Sequence, residues 1–233
     1  HAEVCRKGLL RTNCYLGNGL IEMYAKTGNL TKAQEVFDEL LVRNVVTWTV
    51  LIGAYAMNDH EEEAINCFEE MKIKGFAPNP ITFSCVLKAC GIVGAIDKCD
   101  EIYAEICRKG LLENDLFLTS ALVDLYAKWG FLNKAREIFD LILIRNIATW
   151  TALLSGSAEH GQGHEALGNL ERMKVESISP NMKTYVSALK ACGSIGDNTK
   201  GIQIHASIGK STYLETDLFL GSALVGMYAK CGM

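Results

Sequence analysis

The stretch YLGNGLIEMYAKTGNLTKAQEVFD at residues 15–38 decides the fold, because its pattern returns at residues 117–140 and again at 219–233. The interval is 102 residues each time. In all three copies a Tyr-Ala-Lys triplet follows a pair of branched apolar residues, and a glycine comes two positions after the lysine. A fixed period of this kind indicates a repeat architecture.

Each 102-residue interval divides into three shorter repeats of 31, 35 and 36 residues. Both ends of the chain fall inside a repeat, so we expect further repeats of the same chain at both ends. The proposed ranges are 1–13 (part of a 36-residue repeat), 14–44, 45–79, 80–115, 116–146, 147–181, 182–217 and 218–233 (part of a 31-residue repeat).

Apolar residues follow a helical period in every repeat. Residues 33, 36, 37 and 40 are apolar, which places them on one face of a helix, and Gly28 separates this helix from the preceding one. A single helical hairpin cannot bury its own apolar face, but stacked hairpins bury their faces jointly. The sequence therefore predicts an all-α solenoid of stacked helix-turn-helix repeats.

Composition excludes several functional classes. No run of 18 apolar residues occurs, so we expect no membrane span. We expect no signal peptide or transit sequence at His1. Its nine cysteines include no C-x-x-C pair, and some recur at the 102-residue interval, so we interpret them as reduced core thiols. The net charge of −4 argues against a non-specific binder of polyanions.

The motifs resemble one repeat family. Residues 45–52 (VVTWTVLI), followed by Glu63-Ala64, Met71, Gly75 and Pro78-Asn79, strongly resemble a pentatricopeptide repeat. The alternation of 35, 36 and 31 residues resembles the plant PLS subclass. The resemblance implies a right-handed superhelix located in mitochondria or chloroplasts, whose transit peptide is not in this sequence. It also implies binding of single-stranded RNA, one base per repeat, as a site-recognition factor for C-to-U editing.

In this family two polar side chains of each repeat recognise a base, one near the start of the first helix and one at the end of the repeat. We call them the first and last recognition residues. Short Ser or Thr leaves room for a purine, a final Asp accepts hydrogen bonds, and a final Asn can donate them. The alternative is ordinary turn and cap chemistry, which favours the same residue types. The pairs are Asn18 with Asn44, Thr49 with Asn79, Ser84 with Asp115, Ser120 with Asn146, Thr151 with Asn181, and Val186 with Asp217, and Ser222 is unpaired.

Two further groups complete the expected RNA site. Residues expected to stack on bases precede the first recognition residues, and lysines at the ends of first helices are candidate phosphate contacts. Ala148 and Lys183 depart from the stacking pattern, and with Val186 the repeat 182–217 is expected to recognise no base. The stacking candidates are Tyr15, Val46, Ile81, Phe117 and Phe219, and the phosphate candidates are Lys26, Lys128 and Lys230.

No pattern in the sequence favours catalysis or a cofactor. His60-Glu61-Glu62 matches the H-x-E of a zinc deaminase, but no P-C-x-x-C follows it. Gly209-Lys210-Ser211 resembles the end of a phosphate-binding loop without its first glycine. We therefore expect neither an enzyme nor a metal site within this sequence.

Two functions remain open at this point. The first is an RNA-binding adaptor that presents a cytidine to a deaminase, in the same chain or another, with multiple organellar RNA editing factors as partners. The expected RNA target runs with its 5′ end at the protein N-terminus. Its sequence is pyrimidine, A, a weakly recognised G, A, A, any base and purine. The second is a protein–protein scaffold within an organellar ribonucleoprotein complex. RNA binding should weaken at higher salt.

Overall fold

The computed structural model describes residues 13–112, 115–209 and 218–233. Within these ranges the chain forms thirteen α-helices and no β-strand, as predicted. The proposed partial repeat 1–13 lies almost entirely outside them. The helices are α1 Cys14–Lys26, α2 Leu30–Glu39, α3 Val45–Ala56, α4 Glu61–Ile73, α5 Pro80–Val93, α6 Ile96–Arg108, α7 Leu116–Lys128, α8 Leu132–Asp140, α9 Ile147–Glu159, α10 Gly163–Val175, α11 Met182–Ile195, α12 Asn198–Gly209 and α13 Leu218–Lys230.

The helices belong to two compact units, His1–Leu118 and Thr119–Met233, with the boundary inside α7. In the first unit α1, α3 and α5 pack side by side, while α2 packs on α1 and α3, and α4 packs on α3 and α5. In the second unit α9, α11 and α13 pack side by side, and α10 packs on α9 and α11. Each unit is therefore a set of hairpins whose first helices form one layer.

The same aromatic cluster holds the core of each unit. Phe37 packs edge-on against the buried Trp48, with ring centroids 4.7 Å apart, and the Arg43 guanidinium lies 4.6 Å from the Phe37 ring centre. In the second unit Phe139 packs against Trp150 at 4.6 Å, with Arg145 at 4.7 Å. The recurrence of this cluster after 102 residues explains why the sequence period matches the packing.

Helix ends follow the glycine pattern with two exceptions among the described residues, Asp59 and Ser177, which have left-handed φ values of 59° and 60°. Gly75 ends α4 in the left-handed region at φ 84°, where glycine pays no steric penalty. Ser177 occupies the equivalent place after α10 and is held at φ 60°. A side chain in this region costs about 1–2 kcal/mol. The backbone hydrogen bonds that close the two helix ends are the same, so the serine adds only this conformational cost.

The described cysteines range from fully buried through half-buried to exposed. Cys90 and Cys192 are fully buried at equivalent places, as the core interpretation predicts. Burial raises the pKa of Cys192 to about 12. Cys107 is exposed, so for this residue the core interpretation is wrong: it lies on the outer face of α6. Its sequence equivalent, Cys5, lies outside the described residues. All eight cysteines in the described part are free thiols.

Candidate nucleic-acid interface

The five stacking candidates all lie on the surface. Their exposed fractions are high for large apolar side chains, from 52% for Val46 to 85% for Tyr15. Each is the second residue of the first helix of its repeat, and Ala148 and Lys183 are exposed at the same position. Core packing cannot account for an apolar residue that is exposed at the same place in five repeats. The exposed fractions of the other three are 65% for Ile81, 84% for Phe117 and 79% for Phe219.

The first recognition residues lie one turn after the stacking candidates, and residues three apart share a helix face. Their burial differs from repeat to repeat. Asn18, Ser84 and Ser120 are half-buried and Ser222 is exposed, whereas Thr49 and Thr151 are only 7% and 4% exposed. The Oδ1 atom of Asn18 is buried without a hydrogen-bond partner among the described residues. An unpaired polar atom at this place is available to a ligand.

The last recognition residues are helix N-caps. The Oδ1 atoms of Asn44, Asn79, Asn146 and Asn181 each accept the backbone N–H three residues later at 2.9 Å. Asp115 accepts the N–H of Leu118 in the same way at 2.9 Å. The cap chemistry considered as the alternative is therefore present. The remaining recognition residue, Asp217, lies outside the described residues.

Capping and the predicted base contact involve different atoms of these asparagines. The cap occupies the carbonyl oxygen, whereas the amide Nδ2 carries two hydrogens that can be donated. At Asn79 and Asn181 these hydrogens have no partner within the described part of the chain. At Asn44 the amide nitrogen lies 3.5 Å from the Cys14 sulfur. An asparagine can thus begin a helix and still offer a donor to a base.

The sequence interpretation missed a set of threonines. Thr47, Thr82, Thr149 and Thr184 stand three residues after the capping asparagines, and all four are fully buried. Their hydroxyls accept the cap N–H and close capping boxes. The N-x-x-T spacing resembles a capping box and is the signal from which these residues could have been found.

The three phosphate candidates have different electrostatic surroundings. Lys26 forms an ion pair with Glu22 at 2.7 Å, and Lys128 forms one with Asp124 at 2.6 Å. The Lys26 hydrogen bond and charge hold the pKa of Glu22 below its usual value. Gly226 occupies the equivalent position before Lys230, so this lysine lacks the carboxylate one turn back.

Two histidines at helix ends have structural partners. His60 Nδ1 lies 3.0 Å from the Glu63 carboxylate, next to the start of α4. His160 Nε2 lies 2.9 Å from the Lys128 carbonyl oxygen, at the end of α9.

No group of three potential metal ligands occurs in the described ranges. No described helix is long and apolar enough to cross a bilayer. Lys210 and Ser211 lie outside the described residues.

The helices pair into hairpins, the hairpins stack through their first helices, and polar cap residues lie between them. This arrangement defines a helical-repeat protein. The PPR repeat family model matches residues 43–92 and 145–194, and the PPR repeat model matches residues 18–45, 81–111 and 118–147. The chain belongs to the pentatricopeptide repeat family.

Relatives with similar sequences occur in Arabidopsis thaliana. The chloroplastic pentatricopeptide repeat-containing protein At4g18520 is 40% identical over 226 residues, which are 97% of this chain and 36% of the relative. The mitochondrial protein At1g06140 is 33% identical over 234 residues, covering 100% of this chain and 41% of the relative. The chain thus spans between about a third and two fifths of the length of these two relatives.

Solved structures share the fold at low sequence identity. Maize PPR10 in complex with an 18-nt psaJ RNA element is 20% identical, with a TM-score of 0.60 over 94% of this chain and 38% of that one. Nuclear proteinaceous RNase P 2 of A. thaliana is 14% identical, with a TM-score of 0.66 over 81% of this chain and 43% of that one. At these identities the similarity concerns the fold alone.

Proposed function

We propose that this chain binds single-stranded RNA with base specificity and that its repeats contribute one base contact each. One observation carries the proposal: an exposed apolar side chain and a polar side chain one turn later share a face of the first helix in successive repeats. An exposed apolar side chain beside hydrogen-bonding groups suits an unpaired base, because such a base offers a stacking face and a polar edge. The RNA-bound PPR10 structure with a similar fold supports the same class of ligand.

The finer proposals follow from the resemblance. The chain is a PLS-type array that acts as a site-recognition factor for C-to-U editing in an organelle, and the chloroplastic and mitochondrial relatives support that location. It contributes binding and no catalysis. A deaminase and editing factors are proposed as partners that act on the bound transcript. The proposed target remains pyrimidine, A, weak G, A, A, any base and purine.

The net charge of −4, together with carboxylates that pair with Lys26 and Lys128, favours a second candidate, a protein-binding scaffold. A selection from a random single-stranded RNA pool, repeated at two salt concentrations, separates the two functions. RNA binding predicts an enriched motif with A at the second base and weaker binding at higher salt. Failure to enrich any RNA would favour the scaffold, and a motif made only of pyrimidines would contradict the recognition pairs.

A further inference from the structure

Two buried threonine hydroxyls each touch both recognition residues of the preceding repeat. Thr82 is the third residue of the repeat 80–115. Its Oγ1 atom lies 2.6 Å from the Thr49 hydroxyl and 3.0 Å from the Asn79 Oδ1 atom. Thr49 and Asn79 are the two recognition residues of the repeat 45–79. The second unit repeats the arrangement: Thr184 Oγ1 lies 2.8 Å from the Thr151 hydroxyl and 2.8 Å from the Asn181 Oδ1 atom.

The hydrogen-bond directions around Thr82 depend on where the Thr49 hydroxyl donates its proton. Its Oγ1 accepts the Asn79 backbone N–H at 3.3 Å, and its single proton can then be donated to Asn79 Oδ1. The Thr49 hydroxyl donates either to Thr82 Oγ1 or to the Val45 carbonyl oxygen, which is 2.7 Å away. Asn79 Oδ1 also accepts the Thr82 backbone N–H at 2.9 Å. When the Thr49 hydroxyl donates to Thr82, the Thr82 hydroxyl and the Thr82 N–H both donate to the carbonyl side of this amide.

This network determines which part of the asparagine a base can meet. With Oδ1 held by two donors, the amide cannot rotate by half a turn, and Nδ2 remains the group with hydrogens to donate. A donor selects bases whose ring nitrogen on the Watson–Crick edge is an acceptor, which is N1 in A and N3 in C. Thr82 itself is fully buried, so it acts on the base only through its two neighbours.

The 31-residue repeat offers an incomplete version of the same network. Thr47 Oγ1 lies 3.1 Å from Asn44 Oδ1, but the first recognition residue of that repeat, Asn18, has its Oδ1 atom buried without a partner in the described part of the chain. Both 35-residue repeats have the full bridge between their recognition residues, and in both the first recognition residue is a buried threonine.

We infer that Thr82 and Thr184 are positioning residues for base specificity, so that the repeats 45–79 and 147–181 depend on a hydroxyl supplied by the next repeat. This inference rests on the proposed RNA-binding function. It predicts that base selectivity at each of these repeats is set by three residues, the third of which lies in the next repeat and never touches the RNA.

The test is a binding competition between RNAs that differ at the second or the fifth base of the target. Thr82→Val keeps the shape of the side chain and the backbone N–H cap but removes the hydroxyl. We expect the preference for A over G at the second base to fall about fivefold, the scale of one lost hydrogen bond. The fifth-base preference should stay unchanged. Thr184→Val should lower the preference for A over G at the fifth base and leave the second-base preference unchanged. Thr82→Ser keeps a hydroxyl and should therefore keep the wild-type preference.

The possible results separate this inference from the proposed function. If wild type shows no base preference, both fail together. If wild type discriminates and Thr82→Val weakens all RNAs equally, the hydroxyl is only a helix cap and the positioning role is overturned. If Thr82→Ser behaves as Thr82→Val does, the hydroxyl is not the active group and the inference is likewise overturned.

Discussion

The Trp150 indole N–H donates a hydrogen bond to the Glu176 carboxylate at 3.0 Å, whereas the equivalent Trp48 nitrogen is buried without a partner among the described residues. Lys74 stands in the first unit where Glu176 stands in the second. A lysine offers only donors, so it cannot satisfy an indole N–H. The two units thus differ in whether a buried polar group of their shared aromatic cluster is paired.

Lys74→Glu should stabilise the chain. Leaving a buried donor unpaired costs about 1–3 kcal/mol, and removing a cation from a helix end costs about 0.3–1 kcal/mol. We therefore expect a net gain of about 1 kcal/mol in the free energy of unfolding. Urea denaturation measures it, with Lys74→Ala as the control that removes the charge without adding an acceptor. Equal stability of the two variants would contradict the pairing.

Alkaline pH should destabilise the first unit through Cys67. Burial, followed by the charges of Glu70 and Asp38, raises the pKa of this thiol to about 12. The unfolded thiol ionises nearer pH 9, so stability is fully present below that pH and is lost as pH rises toward 12. The loss should approach about 1.4 kcal/mol per pH unit within this window. Denaturation of wild type and Cys67→Ala from pH 8 to 11 measures the difference in slope, and parallel curves would contradict it.

The sequence predicted the helices because hairpin stacking demands apolar faces with a helical period, and glycines mark their ends. It also contained the Glu22–Lys26 ion pair, since residues four apart on a helix are neighbours. The bridge through Thr82 was not predictable in this way. Thr49 and Thr82 are 33 residues apart, and their 2.6 Å contact depends on how closely α3 and α5 pack. Side-chain spacing within one helix carries no information on that distance.

Lys230 should contribute more to RNA affinity than Lys26. Glu22 already neutralises Lys26, so a phosphate contact there must compete with an existing ion pair. Lys230→Ala should weaken the binding of all RNA sequences about equally. It should also reduce the slope of log affinity against log salt concentration by about the amount that one phosphate contact contributes. Lys26→Ala should have a smaller effect on both. Glu22→Gln is the matched control, since it frees Lys26 and should strengthen binding. Equal effects of the two alanine variants would contradict the electrostatic difference.

Asn79→Asp should change base preference without removing the helix cap. Asp115 shows that an aspartate caps the next helix in this chain, accepting the N–H of Leu118 at 2.9 Å, and Asn and Asp are about equally good caps. The variant should therefore keep the bond from the Thr82 N–H. The atom that changes is Nδ2, which becomes an oxygen that can only accept.

Adenine presents an acceptor at N1, whereas guanine presents an N–H there, so the preference at the second base should move from A to G. A discriminating contact is worth about 1–3 kcal/mol, which corresponds to about 5- to 150-fold in affinity. Competition between RNAs that differ only at this base measures the change, and the fifth base serves as the internal control because Asn181 remains. If wild type and variant rank A and G alike while both still bind, Asn79 acts only as a cap, because the one atom that differs between them would then never meet the base.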